Sequence, residues 1–324
     1  MKAIICEQYG SPDLLRFEEV EKPAPKQNEV LVKVHAASLN AYDWHILTAD
    51  IFLVRLMGGG FLRPKNKIPG ADIAGTVEAV GGHVTQFKPG DAVYGDLAGH
   101  TSGSFAEYAS VPERALAAKP VNLSFEEAAA VPMAAVTALQ GLRDVGQIQP
   151  GKKVLINGAS GGVGTFAVQI AKTFGADVTA VCSTRNMAQA RTLGADHVID
   201  YTKEDFTQNG QQYDLILAAN GFHPLAAYKR ALAPKGIYVM AGGTMAQIFQ
   251  ATLLGSWMSR GGEKKMGNVS AKMTQADLNT LTELLESGKV VPVIDKRYPL
   301  AETPAALRYL GQGHARGKVV ITVA

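Results

Sequence analysis

The stretch KVLINGASGGVG at residues 153–164 decides the fold that this sequence predicts. Residues 154–156 form a continuous apolar run, which is typical of a strand that is buried on both faces of a parallel sheet. The glycines from Gly158 to Gly164 then turn the chain, and apolar residues at helical spacing follow as far as Gly175. The stretch therefore predicts a strand, a glycine-rich turn and a helix, which together are half of a βαβ unit.

Glycine suits this turn if the turn binds a pyrophosphate. A pyrophosphate must approach the backbone closely and accept hydrogen bonds from the amides at the helix N-terminus. The sequence places Ala159, Gly161 and Gly164 at the three glycine positions of the pattern G-x-G-x-x-G. The alternative is an ordinary glycine turn between a strand and a helix. The predicted dinucleotide site includes Ser160, Gly161, Gly162, Val163 and Gly164.

The residues that follow the next predicted strand indicate which dinucleotide binds. In an NAD site, an Asp or Glu about 20 residues after the turn holds the ribose hydroxyls. Here the chain reads Ser183, Thr184 and Arg185 instead. Two hydroxyls and a guanidinium suit a ribose 2′-phosphate, so we predict NADPH as the cofactor. Alternatively, Arg185 is a solvated charge that begins the next helix.

Length and composition restrict the class of protein. A chain of 324 residues with 47% hydrophobic and 19% charged residues is ordinary for a soluble globular protein of about two domains. The net charge of +3, without a basic run, predicts no nucleic-acid partner. The two cysteines, Cys6 and Cys182, predict buried thiols in a reducing cytoplasm. The apolar run at residues 1–6 is too short for a signal peptide or stable membrane insertion.

The rest of the chain divides into a β-rich part and an alternating part. Residues 1–124 contain short strand patterns separated by Gly and Pro, which predicts an all-β module. A helical pattern at residues 126–139 leads into the nucleotide strand, and strand and helix patterns alternate after it. Strand patterns at residues 290–294 and 318–323 are expected to rejoin the β-rich module. The predicted domains of this α/β protein are residues 1–124 with 267–324, and residues 125–266.

Six short motifs carry a resemblance to a known family. They are Ser38–Asp43, Gly70–Gly75, Lys88–Val93, Gly103–Tyr108, Asn157–Gly164 and Gly317–Val320. With these motifs the chain resembles, end to end, the medium-chain dehydrogenase/reductase superfamily. Within that superfamily it is similar to the zinc-free quinone oxidoreductases and their chloroplast-envelope and zeta-crystallin relatives. The resemblance implies a GroES-like catalytic domain built from both chain ends, a Rossmann domain between them, a cleft that holds NADPH, and a homodimer.

The sequence departs from the zinc-dependent members of that superfamily. They place a cysteine ligand where this chain has Asn40, and a His-Glu pair where it has Ala71 and Asp72. Two distant thiols cannot build a tetrahedral sulfur site, and the seven histidines show no ligand-like spacing, so we predict no metal. Without a Lewis acid to stabilise an alkoxide, hydride transfer to a quinone or an α,β-unsaturated carbonyl is the easier reaction, because such an acceptor spreads its own charge.

The segment at residues 40–45 faces the nicotinamide in the family, and it supplies the catalytic candidates. Asn40 can donate to a carbonyl oxygen. His45 stands where relatives often carry Lys or Tyr, so it is either a proton donor or a structurally bonded loop histidine. Tyr42 is either an acid or a packing residue, and Asp43 orients the loop.

The resemblance also suggests cofactor contacts outside the glycine turn. These are Thr137, Tyr201, Asn220, Gly242 and Lys318. Two of them have ordinary alternatives, because Asn220 can cap a helix and Gly242 can end a strand.

The predicted enzyme is an NADPH-dependent reductase of small hydrophobic quinones or enones. An enoyl-thioester reductase and a non-catalytic NADPH-binding protein are the alternatives. The apolar segment at residues 51–62 is either a flap over the acceptor or a short helix that packs on the core.

Overall fold

The computed structural model describes residues 1–49, 60, 62–100, 103–221, 223–243 and 263–323. The segment predicted as a flap or a packed helix, residues 51–62, lies outside the described residues except for Gly60 and Leu62. Within the described part of the chain, no helix combines the length and the apolar character needed to cross a membrane.

Strands and helices are numbered here in chain order. The first part of the chain forms β1 (Lys2–Ile5), β2 (Arg16–Glu19), β3 (Glu29–Leu39), α1 (Ala41–Thr48), β4 (Asp72–Val80), β5 (Ala92–Asp96), β6 (Tyr108–Pro112), β7 (Leu116–Ala118), α2 (Phe125–Ala129) and α3 (Pro132–Gln140). The middle part forms β8 (Lys153–Asn157), α4 (Gly162–Thr173), β9 (Asp177–Cys182), α5 (Met187–Thr192), β10 (His197–Asp200), β11 (Tyr213–Ala218), α6 (Leu225–Ala231), β12 (Leu232–Met240) and β13 (Lys265–Asn268). The last part forms α7 (Gln275–Glu286), β14 (Ile294–Pro299), α8 (Thr303–Gly311) and β15 (Lys318–Thr322).

The chain forms two compact units. The terminal unit comprises Met1–Met133, Met273–Ser287 and Pro292–Ala324, and the central unit comprises Ala134–Lys272 and Gly288–Val291. Both main boundaries lie further along the chain than the predicted ones at residues 124 and 266. The first boundary differs because α2 packs on β3 and β4 of the terminal unit.

The central unit is built on a six-stranded sheet. Its strand order is β10-β9-β8-β11-β12-β13, and every neighbouring pair is parallel. This order is the 3-2-1-4-5-6 order of a doubly wound fold, so the predicted Rossmann sheet is confirmed. The order reverses between β8 and β11, and ligands of such sheets bind beyond the carboxyl ends of the strands at that point.

The terminal unit is built on a mainly antiparallel sheet that joins both ends of the chain. Its order is β14-β15-β3-β4-β5-β7, and β6 also pairs with β3. The pairing of β15 with β3 confirms that the C-terminus returns to the N-terminal module, as a GroES-like domain requires. The register aligns Ser38 with Asp72 and Asp72 with Asp96, so polar residues from β3, β4 and β5 lie side by side.

Three predicted elements differ from the structure. The single helix predicted at residues 126–139 is two helices, α2 and α3, and α3 begins at Pro132, because proline fits the first turn of a helix but not its interior. The segment at residues 40–45, expected as a loop, lies mostly in α1, with Asn40 as its N-cap. The strand predicted at residues 290–294 instead begins at Ile294.

Candidate active site

The predicted cofactor residues of the central unit meet at the carboxyl edge of its sheet. Ser160 to Gly164 follow β8, Ser183 to Arg185 follow β9, and Tyr201 follows β10. Asn220 and Gly242 follow β11 and β12 in the same way. The parallel pairing thus brings together residues that are up to 82 positions apart in the sequence, counted from Ser160 to Gly242.

The turn after β8 requires glycine at two positions for different reasons. Gly158 has a φ of +80°, a left-handed conformation that side chains strongly disfavour. At Gly164, a Cβ atom would lie 2.1 Å from the carbonyl oxygen of Gly158, which is a backbone atom that cannot move aside. A third glycine, Gly161, has more room, since its Cβ would lie 3.6 Å from the same oxygen.

The helix that leaves this turn presents backbone amides rather than side chains. Gly161 is the N-cap of α4 and makes no side-chain capping bond. The first helical hydrogen bond runs from the Thr165 N–H to the Gly161 carbonyl (2.9 Å), so the amides of residues 162–164 precede it. These amides lie at the positive end of the helix dipole, and a pyrophosphate fits such a cradle.

At the end of β9, the hydroxyl of Thr184 is not arranged as the sequence analysis predicts for a phosphate contact. The Thr184 hydroxyl donates to Oδ2 of Asp200, so it is already used within the protein. Asp200 also accepts from the Thr202 N–H (3.0 Å) and the Thr202 hydroxyl (2.7 Å). The bond from Thr184, above all, holds the pKa of the Asp200 carboxyl below its usual value.

Asp200 is a carboxylate that the sequence analysis did not place at this edge. It ends β10, and the parallel register aligns it with Cys182 at the end of β9. Its oxygens accept from Thr184 and Thr202, while Ser183 and Arg185 follow β9 at the same edge of the sheet. Arg185 is exposed, and Ser183 is half-buried.

The remaining predicted cofactor residues occupy varied environments. Tyr201 is 60% exposed, whereas Thr137 is buried on α3. Oδ1 of Asn220 accepts from the N–H of Gly221 (2.8 Å), and the N-cap of α6 is Pro224, so Asn220 does not cap that helix. A Cβ atom on Gly242 would lie 2.4 Å from the carbonyl oxygen of Ala219.

The terminal unit contains a buried ion pair at its sheet. Nζ of Lys318 lies 3.1 Å from Oδ2 of Asp72, and the two side chains are 2% and 0% exposed. The same ammonium donates to Oδ1 of Asn40, while Nδ2 of Asn40 donates to Oδ2 of Asp72 (2.8 Å). These bonds fix the orientation of the Asn40 amide, because its oxygen must face the cation and its nitrogen the carboxylate.

Further donors complete the hydrogen bonding of Asp72. The Ser38 hydroxyl donates to Oδ2 (2.7 Å), and the Met133 N–H donates to Oδ1 (2.9 Å). Hydrogen bonds of this kind offset the cost of burying a charge. We call Asn40, Asp43, Asp72, Asp96 and Lys318 the polar cluster.

Two further carboxyl groups of the polar cluster lie in the same interior. Burial raises the pKa of Asp43 to about 7, although the Asn40 N–H donates to its Oδ2 (2.8 Å) and opposes the shift. Burial, and then the charge of Asp72, raises the pKa of Asp96 to about 7. A single ammonium balances only one carboxylate, so the other two retain their protons more readily than exposed acids.

The three predicted catalytic residues lie in α1 or at its N-cap. Asn40 caps α1 and is buried, and its amide has one N–H beyond the one that Asp72 accepts. Tyr42 is 39% exposed, and burial of its hydroxyl raises its pKa, so the phenol remains a neutral donor. His45 is half-buried, one helical turn further along α1.

The polar cluster does not fit a zinc ion. At the positions where zinc-dependent relatives have ligands, this chain offers an amide oxygen and a carboxylate, and the Lys318 ammonium is bonded to both. Zinc sites use thiolate, imidazole and carboxylate ligands in a tetrahedron. Across the described residues, no group of three or more His, Cys, Asp or Glu side chains is placed to hold a metal.

Sequence reasoning missed the connection between Asp72 and Lys318. It treated Asp72 as a replaced ligand and Lys318 as a cofactor contact, which stays a prediction. The available signal was the setting of each charge, Ala71-Asp72-Ile73-Ala74 and Lys318-Val-Val-Ile321, since a charge inside an apolar strand needs a partner. The sequence alone does not indicate which partner it is.

Models of two domain families match the chain. The alcohol dehydrogenase GroES-like domain matches residues 26–121, and the zinc-binding dehydrogenase domain matches residues 193–321. The chain is 38% identical to the 2-methylene-furan-3-one reductase of Solanum lycopersicum, over 99% of this chain and 79% of that protein. It is 34% identical to the chloroplastic quinone-oxidoreductase homolog of Spinacia oleracea, over 99% and 98%.

Another relative and two solved structures are also similar. The chloroplastic NADPH-dependent alkenal/one oxidoreductase of Arabidopsis thaliana is 34% identical over 99% of this chain and 79% of that protein. The quinone oxidoreductase from Coxiella burnetii superimposes with a TM-score of 0.89 at 30% identity, over 100% of this chain and 99% of that one. The CurK enoyl reductase gives 0.84 at 26% identity, over 100% and 99%.

Proposed function

Because the chain belongs to the quinone oxidoreductase family of medium-chain dehydrogenases/reductases, we propose that it reduces quinones or α,β-unsaturated carbonyls with NADPH and without zinc. The observation that carries the proposal is the carboxyl edge of the central sheet. There the glycine turn and the ends of β9 and β10 offer backbone amides, hydroxyls and Arg185 to a phosphorylated dinucleotide. When bound, NADPH supplies the hydride.

The proposed cofactor residues divide into two groups by the part of NADPH they would hold. The amides of residues 162–164 suit the pyrophosphate, because they precede the first helical hydrogen bond. Ser183 and Arg185 suit the 2′-phosphate, with Tyr201 beside them on the same edge. The alkenal/one oxidoreductase among the relatives is NADPH-dependent by name, which agrees with this assignment.

A titration of both cofactors tests the preference for NADPH. We expect Arg185→Ala to abolish it, because a charge-assisted contact contributes about ten- to a hundredfold in affinity. The measurement is calorimetric titration of the purified protein and the variant with NADPH and NADH. Equal affinity of the unaltered protein for both cofactors would contradict the proposal.

The polar cluster supports an acceptor that stabilises its own negative charge. Its one cation, Lys318, is 2% exposed and bonded to Asn40 and Asp72. Lys318 therefore does not stabilise the oxygen of an acceptor as a Lewis acid would. The remaining N–H of Asn40 and the hydroxyl of Tyr42 are neutral donors, which suit an enolate or a hydroquinone anion better than an alkoxide. In this proposal Asn40 orients the acceptor, and His45 or water supplies the proton.

A panel of acceptors distinguishes the proposed reaction from its alternatives. We expect the protein to oxidise NADPH when 1,4-benzoquinone, 9,10-phenanthrenequinone or a 2-alkenal is the acceptor. The fall in NADPH absorbance measures the reaction. Faster turnover of crotonyl-CoA would favour an enoyl-thioester reductase, a class represented among the similar solved structures. NADPH binding without turnover of any acceptor would favour a non-catalytic NADPH-binding protein.

The His45→Phe variant tests the proton donor. If imidazolium donates the proton, turnover of the unaltered protein falls as pH rises, and the variant loses that dependence. The alkenal rate should fall by up to about 10² to 10⁴, and quinone rates by less, because quinone anions need less help. An unchanged pH–rate profile with near-normal alkenal reduction would assign His45 a structural role.

Two further properties are proposed from the sequence. We propose a homodimer, which the family resemblance supports, and a cytoplasmic location, which the buried and unpaired Cys6 and Cys182 support. Light scattering after size-exclusion chromatography measures the first, and cell fractionation measures the second.

A further inference from the structure

Asn186 joins two turns of the central unit, although it was not among the predicted site residues. Its side chain is buried, with 4% of the residue exposed. Nδ2 donates to Oγ of Ser160 in the turn after β8 (2.9 Å) and to Oγ of Ser183 at the end of β9 (3.2 Å). One buried amide therefore bridges the two strand ends that the proposed NADPH site uses.

Asn186 stands where an asparagine commonly caps a helix, but its side chain does not do so. Asn186 is the N-cap of α5, where an asparagine normally accepts the N–H of the second or third helical residue. Here no side-chain capping bond forms, and Oδ1 has no hydrogen-bond partner among the described residues. A buried acceptor without a partner is unfavourable, so helix capping does not explain this conformation.

The bridge determines where the two serine hydroxyls can donate. A serine hydroxyl has one hydrogen and accepts through its lone pairs. Because each oxygen accepts from the Asn186 amide, each hydrogen is left to point away from Asn186. Both serines are half-buried, so their hydroxyls can reach a bound molecule. Asp200, the carboxylate nearby, is bound by Thr184 and Thr202 instead.

We propose that Asn186 is a positioning residue for cofactor choice, which directs the hydroxyl hydrogens of Ser160 and Ser183 toward the 2′-phosphate of NADPH. The inference rests on the proposed function, because only a 2′-phosphorylated nucleotide offers a dianion at this place. A phosphate accepts hydrogen bonds without donating any when it is a dianion, so two fixed outward donors favour it over the ribose hydroxyl of NADH.

Two nucleotide fragments isolate this effect from catalysis. The first, 2′,5′-ADP, carries the 2′-phosphate, and the second, 5′-AMP, lacks it. Calorimetry gives both affinities for the unaltered protein and for Asn186→Ala, Ser160→Ala/Ser183→Ala and the triple variant. Asn122→Ala is the matched control, because it removes an amide bond to the Leu285 carbonyl (2.9 Å) in the terminal unit.

We expect Asn186→Ala to lose about tenfold of the preference for 2′,5′-ADP over 5′-AMP, which corresponds to about 1.4 kcal/mol. The affinity for 5′-AMP should stay constant. In the variant that lacks both serines, removing Asn186 should change nothing further, because Asn186 acts through their hydroxyls. Asn122→Ala should leave both affinities unchanged.

Asn186→Asp gives a second readout if Asn186→Ala unfolds. The carboxylate has the same shape but only accepts, so it turns both serine hydrogens inward. The preference for 2′,5′-ADP should fall, and part of this fall should disappear in the background that lacks both serines. Thermal unfolding of each variant identifies any that are not folded.

Several results would overturn the inference. If Asn186→Ala lowered the affinity for both fragments equally, Asn186 would be a structural residue. The same conclusion would follow if the loss of preference persisted in full in the variant that lacks both serines. An unaltered preference in both Asn186 variants would also overturn it, while the preference of the unaltered protein still supports NADPH. If the unaltered protein binds both fragments equally, the proposed NADPH preference fails, and the inference fails with it.

Discussion

The turn after β8 and the polar cluster are two polar regions that use their polar groups in opposite ways. In the turn, glycines leave the amides of residues 162–164 without side-chain caps at a helix N-terminus. In the polar cluster, Lys318 and Asp72 are buried and bonded to each other and to Asn40. The first region is open to a ligand, whereas the second has satisfied most of its hydrogen bonds internally.

Because of this difference, substitutions in the two regions should affect different properties of the protein. A change in the turn should act first on binding, because the backbone amides there have few internal partners. A change in the polar cluster should act first on stability, because each charge there depends on a neighbour for compensation. The predictions below test this separation, beginning with the largest expected effect.

Removing the cation of the polar cluster should have the largest effect on stability. We expect Lys318→Met to lower the free energy of unfolding by about 3 to 5 kcal/mol, because Asp72 remains buried without its ion partner. The measurement is urea denaturation. The double variant Asp72→Asn/Lys318→Met should recover part of the loss, since it removes both charges.

The binding of 2′,5′-ADP is the control for this prediction. Folded Lys318→Met should retain its affinity, because the 2′,5′-ADP contacts proposed here come from the central unit. A loss below about 1 kcal/mol, with no recovery in the double variant, would show that the ion pair is not a main source of stability.

The protonation of Asp96 should make stability depend on pH. Its folded pKa of about 7 lies above its ordinary value, so the folded protein binds the proton more tightly. The contribution of Asp96 is therefore fully present below pH 4 and is lost as pH rises through 7. Asp96→Asn should be more stable than the unaltered protein at pH 8 by up to about 4 kcal/mol, and by less at pH 5.

Denaturant midpoints at pH 5 and pH 8 measure this difference. Asp144→Asn is the control, because Asp144 is an exposed partner of Arg143 and should change stability little at either pH. If Asp96→Asn follows the unaltered protein at both values, Asp96 is ionised at pH 5 in the folded state, and the polar cluster holds more negative charge than we infer.

Two alanine substitutions in the glycine turn should separate folding from binding. Gly164→Ala should lower stability by about 1 to 3 kcal/mol, because the new Cβ would lie 2.1 Å from a backbone oxygen. Gly161→Ala should change stability by less than about 0.5 kcal/mol, since its Cβ would have ordinary contacts. Thermal unfolding measures both effects.

Binding of NADPH should fall in both variants of the turn. In Gly161→Ala the fold persists, but a methyl group at the N-cap hinders the close approach of a pyrophosphate. Calorimetric titration with NADPH checks this. Normal NADPH affinity in Gly161→Ala would mean that the phosphates do not approach α4 at its first turn.

The smallest effect is expected at Thr184. Its hydroxyl donates to Asp200, so Thr184→Val should change the NADPH-to-NADH affinity ratio by less than about threefold. Ser183→Ala, in the neighbouring position, should lower the ratio more. A larger effect at Thr184 than at Ser183 would show that the hydroxyl of Thr184 turns to the cofactor on binding.

Contiguous patterns of the sequence were enough to predict the parallel sheet and the glycine turn of the central unit. The apolar run at residues 154–156 is fully buried in β8, and the glycines that follow form the turn that the pattern indicates. The helix predicted at residues 126–139 was less accurate, because the pattern did not weigh Pro132 as a break. Asp200 was missed because it reaches Thr184 from the neighbouring strand β10 rather than from the strand that was searched.

By itself, the sequence determined the doubly wound sheet, the glycine turn and the replacement of the zinc ligands at Asn40 and Ala71-Asp72. These follow from local rules, since strand burial, helix spacing and backbone clearance each depend on residues that are close in the chain. Only the tertiary structure decided that Lys318 pairs with Asp72 and that Asn186 bridges Ser160 and Ser183. A buried charge or amide requires a partner, but strand register and chain path choose which one it meets, and those arise from packing of the whole unit.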